Sequence, residues 1–337
     1  MSTSGHAPVM ADEALAALAP ADGERLVDAT FGAGGYSRRI ADQSRCTVYG
    51  FDRDPSAIER AGAWRLDYGD RLVLVSRPFA EMEEALAEIG VAAIDGAVFD
   101  LGVSSMQLDE AGRGFSFMRD GPLSMRMDRG KPDAGDVVNS AEAVDLAVIF
   151  RAYGEENRAG RIARAIVEHR AVKPILTTLE LAEIIARAAP GKREDKIHPA
   201  TRTFQALRIY VNDELGQLAR GLIAAERLLK PAGRLVVVTF HSLEDRIVKN
   251  FLNDRAGRAP SASRHAPATA AKSPTFSLSN LKPLTPSASE VAGNPRARSA
   301  KLRAALRTDA PARAGDASAF LPALKFSRSM TRLGAHG

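Results

Sequence analysis

The sequence predicts an α/β fold: a mostly parallel sheet with an all-helical subdomain inserted into it. Three observations point there. Short β-branched runs, apolar almost throughout, alternate with helix-patterned segments over the first hundred residues; the alternation then stops; and one more such run returns at 233–240. Strands apolar on both faces belong to a sheet covered on both sides, as parallel sheets are.

The elements follow in order. "RLVDATF", "CTVYGFD", "RLVLVSR" and "DGAVFDLG" read as the first four strands and "GRLVVVTF" as the fifth. Between them "DPSAIERAGAW" opens with Asp54 as N-cap and Pro55 at the first helical position. "FAEMEEALAEIG" closes on Gly90, a C-cap residue. After strand four come "AEAVDLAVIFRAYG", "ENRAGRIARAIVEHR" and "TLELAEIIARAA", all amphipathic, then one long helix expected from about Thr201 to Lys230. Residues 255–287, rich in Pro, Ala and Ser, read as a loop, and "ARSAKLRAALR" as a final edge strand. The expected domains are therefore 1–107 with 206–309 for the sheet, 108–205 for a helical, substrate-recognising insert, and 310–337 for a disordered tail.

Bulk properties narrow the function classes. No run of 18 apolar residues exists and "MSTSGHAPVM" lacks a basic-then-apolar signal pattern, so a cytoplasmic protein with no membrane partner is expected. Cys46, the single cysteine, excludes an intramolecular disulfide and any multi-cysteine zinc site; no metal is expected. From residue 255 onward there are 14 Lys/Arg against 3 Asp/Glu, a basic end on a mildly acidic body. Such an asymmetry suits a polyanion, nucleic acid first, and equally a solvated tail.

The chemistry is expected at the carboxyl ends of the strands, where open α/β sheets bind ligands. "DATFGAGGYS" (28–37) carries G-x-G-G, not the G-x-G-x-x-G of dinucleotide sites, and an acid, Asp28, ends the strand before it. Glycines let backbone approach a ligand closely, while an acid beside them suits a cationic or neutral centre better than a pyrophosphate. S-adenosylmethionine, with a sulfonium and an ammonium and no phosphate, meets that requirement. Asp52 follows at the offset where an acid bonds ribose hydroxyls. Phe79 stands where an adenine could be flanked, and Asp100 ends strand four. Beyond it, Gln107 is a candidate for an adenine edge, and Phe115 and Phe117 for stacking an unpaired base or for packing the insert. Arg202, Gln205 and Arg208 lie at helical spacings, open to phosphate or to nearby acids. His241 and Ser242 follow strand five, Ser242 with Asp245 in a capping arrangement.

These motifs, with "DRDPSAI", "DLGVSS-x-QLD", "RGFSF-x-x-DGPL", "HPATRTFQALRI-x-VN-x-EL", "FHSLEDRIVK" and "NPRARSAKLR", resemble the bacterial ribosomal small-subunit RNA cytosine-N(4) methyltransferase family, MraW/RsmH, over about residues 6–309. The resemblance implies a class I S-adenosylmethionine-dependent methyltransferase, Rossmann-like, with a helical insert. It implies methylation of the exocyclic amine of cytidine 1402 in the decoding region of 16S rRNA, free or within a small ribosomal subunit. It carries cofactor contacts to Gly34, Gly35, Tyr36, Asp52, Phe79, Asp100 and Gln107. Asp100 and His241 are the catalytic candidates, and Phe115, Phe117, Arg202 and Arg208 the RNA candidates. Tyr36 stands where the family usually has His, and Ser124 where it has Asp. A methyltransferase for another RNA base or for protein, and a non-catalytic RNA-binding factor, stay open as alternatives, as does a homodimer.

Overall fold

In a computed structural model, residues 8–62, 64–128, 130–191, 197–258, 273–327 and 330 are described. They fall into two compact units, 1–102 with 215–321 and 103–214 with 322–337.

The first unit is built on a sheet of seven strands among the described residues: β1 (Arg25–Asp28), β2 (Thr47–Phe51), β3 (Leu72–Val75), β4 (Ile94–Asp100), β5 (Leu229–Thr239), β6 (Phe276–Leu278) and β7 (Lys301–Arg307). Their order is β3-β2-β1-β4-β5-β7-β6. The first five run parallel; β7 is antiparallel to β5, and β6 to β7. Strand order reverses between β1 and β4, which opens a crevice above their carboxyl ends. Val48, Val98, Val236 and Val238 on the central strands are fully buried with Leu18, Ile40 and Met10. This is the parallel α/β sheet that the alternating apolar runs predict.

Two local readings are corrected. β7 is not an edge strand, because β6 forms inside the stretch expected as a loop and takes the edge. Three residues are too short to show a period; what fixes β6 is Phe276, 1% exposed and 6.1 Å from the ring of Phe251. The long helix expected over 201–230 is two helices, Thr201–Asn212 and Glu214–Leu228, broken at Asp213 with φ 49°. Asp tolerates that left-handed conformation, so the break carries no Gly or Pro signal.

The second unit is helical. Helices Ala143–Gly154, Ala159–Arg170, Thr178–Ala188 and Thr201–Asn212 bury Ile149, Phe150, Ile162, Ile166, Ile185 and Leu207 in one core. The unit boundaries at 102/103 and 214/215 differ from the expected 107/108 and 205/206. Helix Thr201–Asn212 packs on Ala143–Gly154, so close that a Cβ on Gly154 would lie 2.5 Å from the Arg202 carbonyl oxygen.

The basic C-terminal stretch is folded where it is described. Glu226, fully buried, accepts from Arg255 Nε (2.6 Å), Thr275 Oγ1 (2.7 Å) and the Arg313 backbone N–H (3.2 Å). Lys301 and Arg303 pair with Asp245 at 2.8 and 2.7 Å. Arg255, Lys301 and Arg303 of this stretch are therefore paired with acids of the protein's own fold. Farther on, Phe326 and Met330 join the core of the second unit, where the Ser327 backbone N–H donates to buried Asp145 at 2.7 Å. Residues 310–327 are thus not the loose tail expected from their Ala, Gly and Arg content; 331–337 lie outside the described residues.

Candidate active site

The site of the first unit is assembled from the loop after β1 and the ends of β2, β4 and β5. Asp28 ends β1 fully buried and accepts from Ser37 Oγ (2.7 Å), Ser37 N–H (3.1 Å) and Thr30 N–H (3.2 Å). Burial outweighs these bonds and, with the nearby charge of Asp52, raises its carboxyl to about 6. Gly34 precedes helix Gly35–Gln43 with φ 77°, and a Cβ there would lie 2.5 Å from the Trp64 ring. Only glycine fits. Trp64 stacks on Phe31 at 5.8 Å, with the Arg38 guanidinium 3.7 Å above it.

Asp52, just past β2, accepts from the backbone N–H of Gly32 and of Asp54, each at 2.8 Å. The first of these bonds ties the glycine loop to the end of β2. Burial raises its carboxyl despite both bonds. Phe79 is half-buried, edge-on to Phe99 at 5.4 Å and against Gly221. Asp100, at the end of β4, has its backbone N–H bonded to Thr30 Oγ1 at 2.7 Å, while its Oδ1 is shut off from solvent with no hydrogen-bond partner. Burial first, then the charges of Asp28 and Glu244, push its carboxyl well above the usual range. None of Asp28, Asp52 and Asp100 is paired with Lys or Arg among the described residues. A cluster of raised carboxyls with one orphaned oxygen fits a ligand bearing fixed positive charge, as S-adenosylmethionine does.

Two expected contacts look different in place. The Tyr36 side chain is 3% exposed and its hydroxyl donates to the Val9 carbonyl, so it belongs to the core and leaves only its backbone for the loop. His241, not Ser242, caps helix Ser242–Arg255, and its partner is Glu244, not Asp245. Capping preferences favour Ser over His, so the sequence points one residue past the true cap. His241 Nδ1 accepts from the Glu244 N–H at 3.3 Å, and Nε2 lies 3.0 Å from Glu244 Oε1. Glu244 Oε2 in turn accepts from the backbone N–H of Phe240 (2.8 Å) and His241 (3.2 Å), holding the turn after β5.

The remaining candidates lie in the second unit. Gln107 is buried in a capping box with Ser104, its Oε1 accepting the Ser104 N–H at 3.0 Å. Phe115 is 7% exposed, with Arg113 over its ring at 5.9 Å. Phe117 packs on the helical core between His198 (4.7 Å) and Phe204 (4.8 Å). Arg208 makes a two-pronged pair with Glu214 at 2.7 and 2.8 Å. Arg202 is exposed, with one bond to the Glu155 carbonyl at 3.3 Å. Of the two arginines, Arg202 is the one turned to solvent.

Thr30, Trp64 and Glu244 were not singled out in the sequence. Thr30 follows the strand-end acid by two residues, a weak signal that an Asx-type turn provides. Trp64 and Glu244 act through tertiary contacts that no spacing records.

The model of the MraW methylase family matches residues 3–308. A protein of Hyphomonas neptunium named ribosomal RNA small subunit methyltransferase H is 55% identical over 316 residues, 93% of this chain and 92% of its own length. Proteins of the same name from Brucella suis and Azorhizobium caulinodans are 53% and 55% identical, covering 97% and 94% of this chain and 95% and 92% of their own. The chain belongs to the MraW methylase family, and S-adenosylmethionine is its methyl donor.

Proposed function

We propose that this chain methylates the exocyclic N4 amine of cytidine 1402 in the decoding region of 16S rRNA. S-adenosylmethionine supplies the methyl group from its sulfonium. The observation that carries the reading is the pairing of an orphaned acceptor, Asp100 Oδ1, with a cysteine that is out of reach. Methylation of a pyrimidine carbon runs through a cysteine nucleophile. Cys46 is fully buried just before β2, at the opposite end of the strands from the site, and burial raises its thiol above the usual range. An amine needs no such nucleophile. It needs acceptors for its hydrogens, so that its lone pair leaves the ring and faces the methyl group, and it needs positioning.

The residues divide those tasks. Gly34 and Gly35 let backbone approach the cofactor, Asp52 meets the ribose, and Phe79 flanks the adenine. Tyr36 contributes its backbone alone. Asp100 accepts from the amine, and His241 stands behind it. Phe115, Phe117, Arg202 and Arg208 belong to the unit that receives RNA, with Arg202 as its exposed cation. The relatives' name supports small-subunit rRNA as substrate.

The test is methyl transfer from labelled S-adenosylmethionine to 16S rRNA and to assembled small subunits, with the product nucleoside identified by mass. N4-methylcytidine at one position is expected. A C5-methylated pyrimidine, or label on ribosomal protein, would overturn the reading.

A further inference from the structure

Phe117 is the residue whose sequence context suggests base stacking, yet its ring has Phe204 at 4.8 Å and His198 at 4.7 Å and packs on the helical core. His198 is the exposed member of that trio. Its Nδ1 accepts the Ala200 backbone N–H at 3.2 Å, which leaves the proton of the neutral ring on Nε2. Pro199 restricts its backbone as well. An exposed ring held by a backbone bond on one side and an aromatic face on another has little freedom left to lose when something lies on it.

We propose that His198, backed by Phe117, is a stacking platform for an unpaired base of the RNA substrate. This rests on the rRNA reading above. The surroundings favour a nucleic acid over a peptide. Met118 is 82% and Ile197 55% exposed, giving apolar surface beside the ring, and Arg119 and Arg202 are exposed on the same two segments. Among the described residues of these segments the acid is Asp120, which accepts from the backbone N–H groups of Gly121 and Leu179, each at 3.1 Å. An aromatic face with arginines nearby is the combination that binds single-stranded RNA: the ring takes a base and the cations follow the backbone.

The experiment uses the full chain and a single-stranded RNA oligonucleotide spanning the target cytidine, with 2-aminopurine placed at successive positions. Anisotropy gives affinity and 2-aminopurine quenching reports stacking. His198→Ala is expected to weaken binding about tenfold, without changing the slope of affinity against salt, because no phosphate contact is lost. Quenching at one position should disappear, His198→Phe should restore both signals, and calorimetric affinity for S-adenosylmethionine should be equal in all three proteins. Wild-type affinity and quenching in His198→Ala would overturn the platform, as would failure of His198→Phe to recover them. Absence of wild-type binding to the oligonucleotide, to 16S rRNA and to assembled small subunits would overturn the rRNA reading itself, and is seen without any variant.

Discussion

Thr30 Oγ1 accepts the backbone N–H of Asp100 at 2.7 Å, and the Thr30 N–H donates to Asp28 at 3.2 Å. One residue of the loop after β1 thereby fixes the ends of two strands and the acids on them. Thr30→Val keeps the shape and leaves the Asp100 N–H without an acceptor, a loss of about 1–3 kcal/mol for a buried group. The expected result is a fall in kcat of roughly tenfold or more with a small change in cofactor affinity, and recovery in Thr30→Ser. Steady-state kinetics on the three proteins checks it.

Gly34 is constrained twice, by φ 77° and by the Trp64 ring. Gly34→Ala is expected to cost ~1 kcal/mol or more from the backbone alone, and to weaken S-adenosylmethionine binding. Adding Trp64→Ala removes the clash but not the left-handed backbone, so the double variant should recover part of the thermal stability. Trp64 is the single tryptophan, so its emission follows the glycine loop in the wild type directly.

Asp28 gives a pH signature. Its folded carboxyl titrates at about 6, against ~3.9 for an exposed Asp. Below both values the group is protonated in either state and has no effect. As pH climbs from about 4 to about 6 the unfolded chain ionises first, so stability falls, by on the order of 3 kcal/mol, and is flat above that. Asp28→Asn should lack this decline. Denaturant unfolding of both proteins at pH 5 and pH 7 measures it, and parallel curves would remove the assignment.

Cys46→Ala should leave methyl transfer near the wild-type rate, with a stability loss of about 1 kcal/mol from the small buried gap. Abolished turnover in a folded protein would return a covalent route to consideration.

Removing residues 322–337 takes away Ser327, whose N–H and hydroxyl both donate to Asp145. A fully buried carboxylate then loses these donors, at about 1–3 kcal/mol or more, and the packing of Phe326 and Met330 goes with it. The truncated protein should melt lower. Asp145→Ala should raise its melting temperature while lowering that of the full chain, a reversal that calorimetry detects.

What the sequence disclosed follows from the range of each interaction. The five parallel strands were legible because Val48, Val98 and Val236 lie in runs that must be apolar on both faces. Asp28, Asp52 and Asp100 were legible because a strand-end acid marks the one sheet edge where a ligand can sit. β6 was hidden because Phe276 is held by Phe251, not by a pattern of its own. The break at Asp213 was hidden because nothing but its backbone conformation marks it. Phe117 stood open to stacking a base or to packing the insert, and only its contacts with His198 and Phe204 show which ring of the group is packed and which is exposed.

The placement of Phe326, Ser327 and Met330 in the helical unit also orders events in time. The helices they seal leave the ribosome well before them, because all of 215–321 must be translated before the seal emerges, roughly ten seconds later at ~5–20 residues per second. Until then Asp145 waits without these donors, and the helical unit closes its core only when the last residues have left the ribosome.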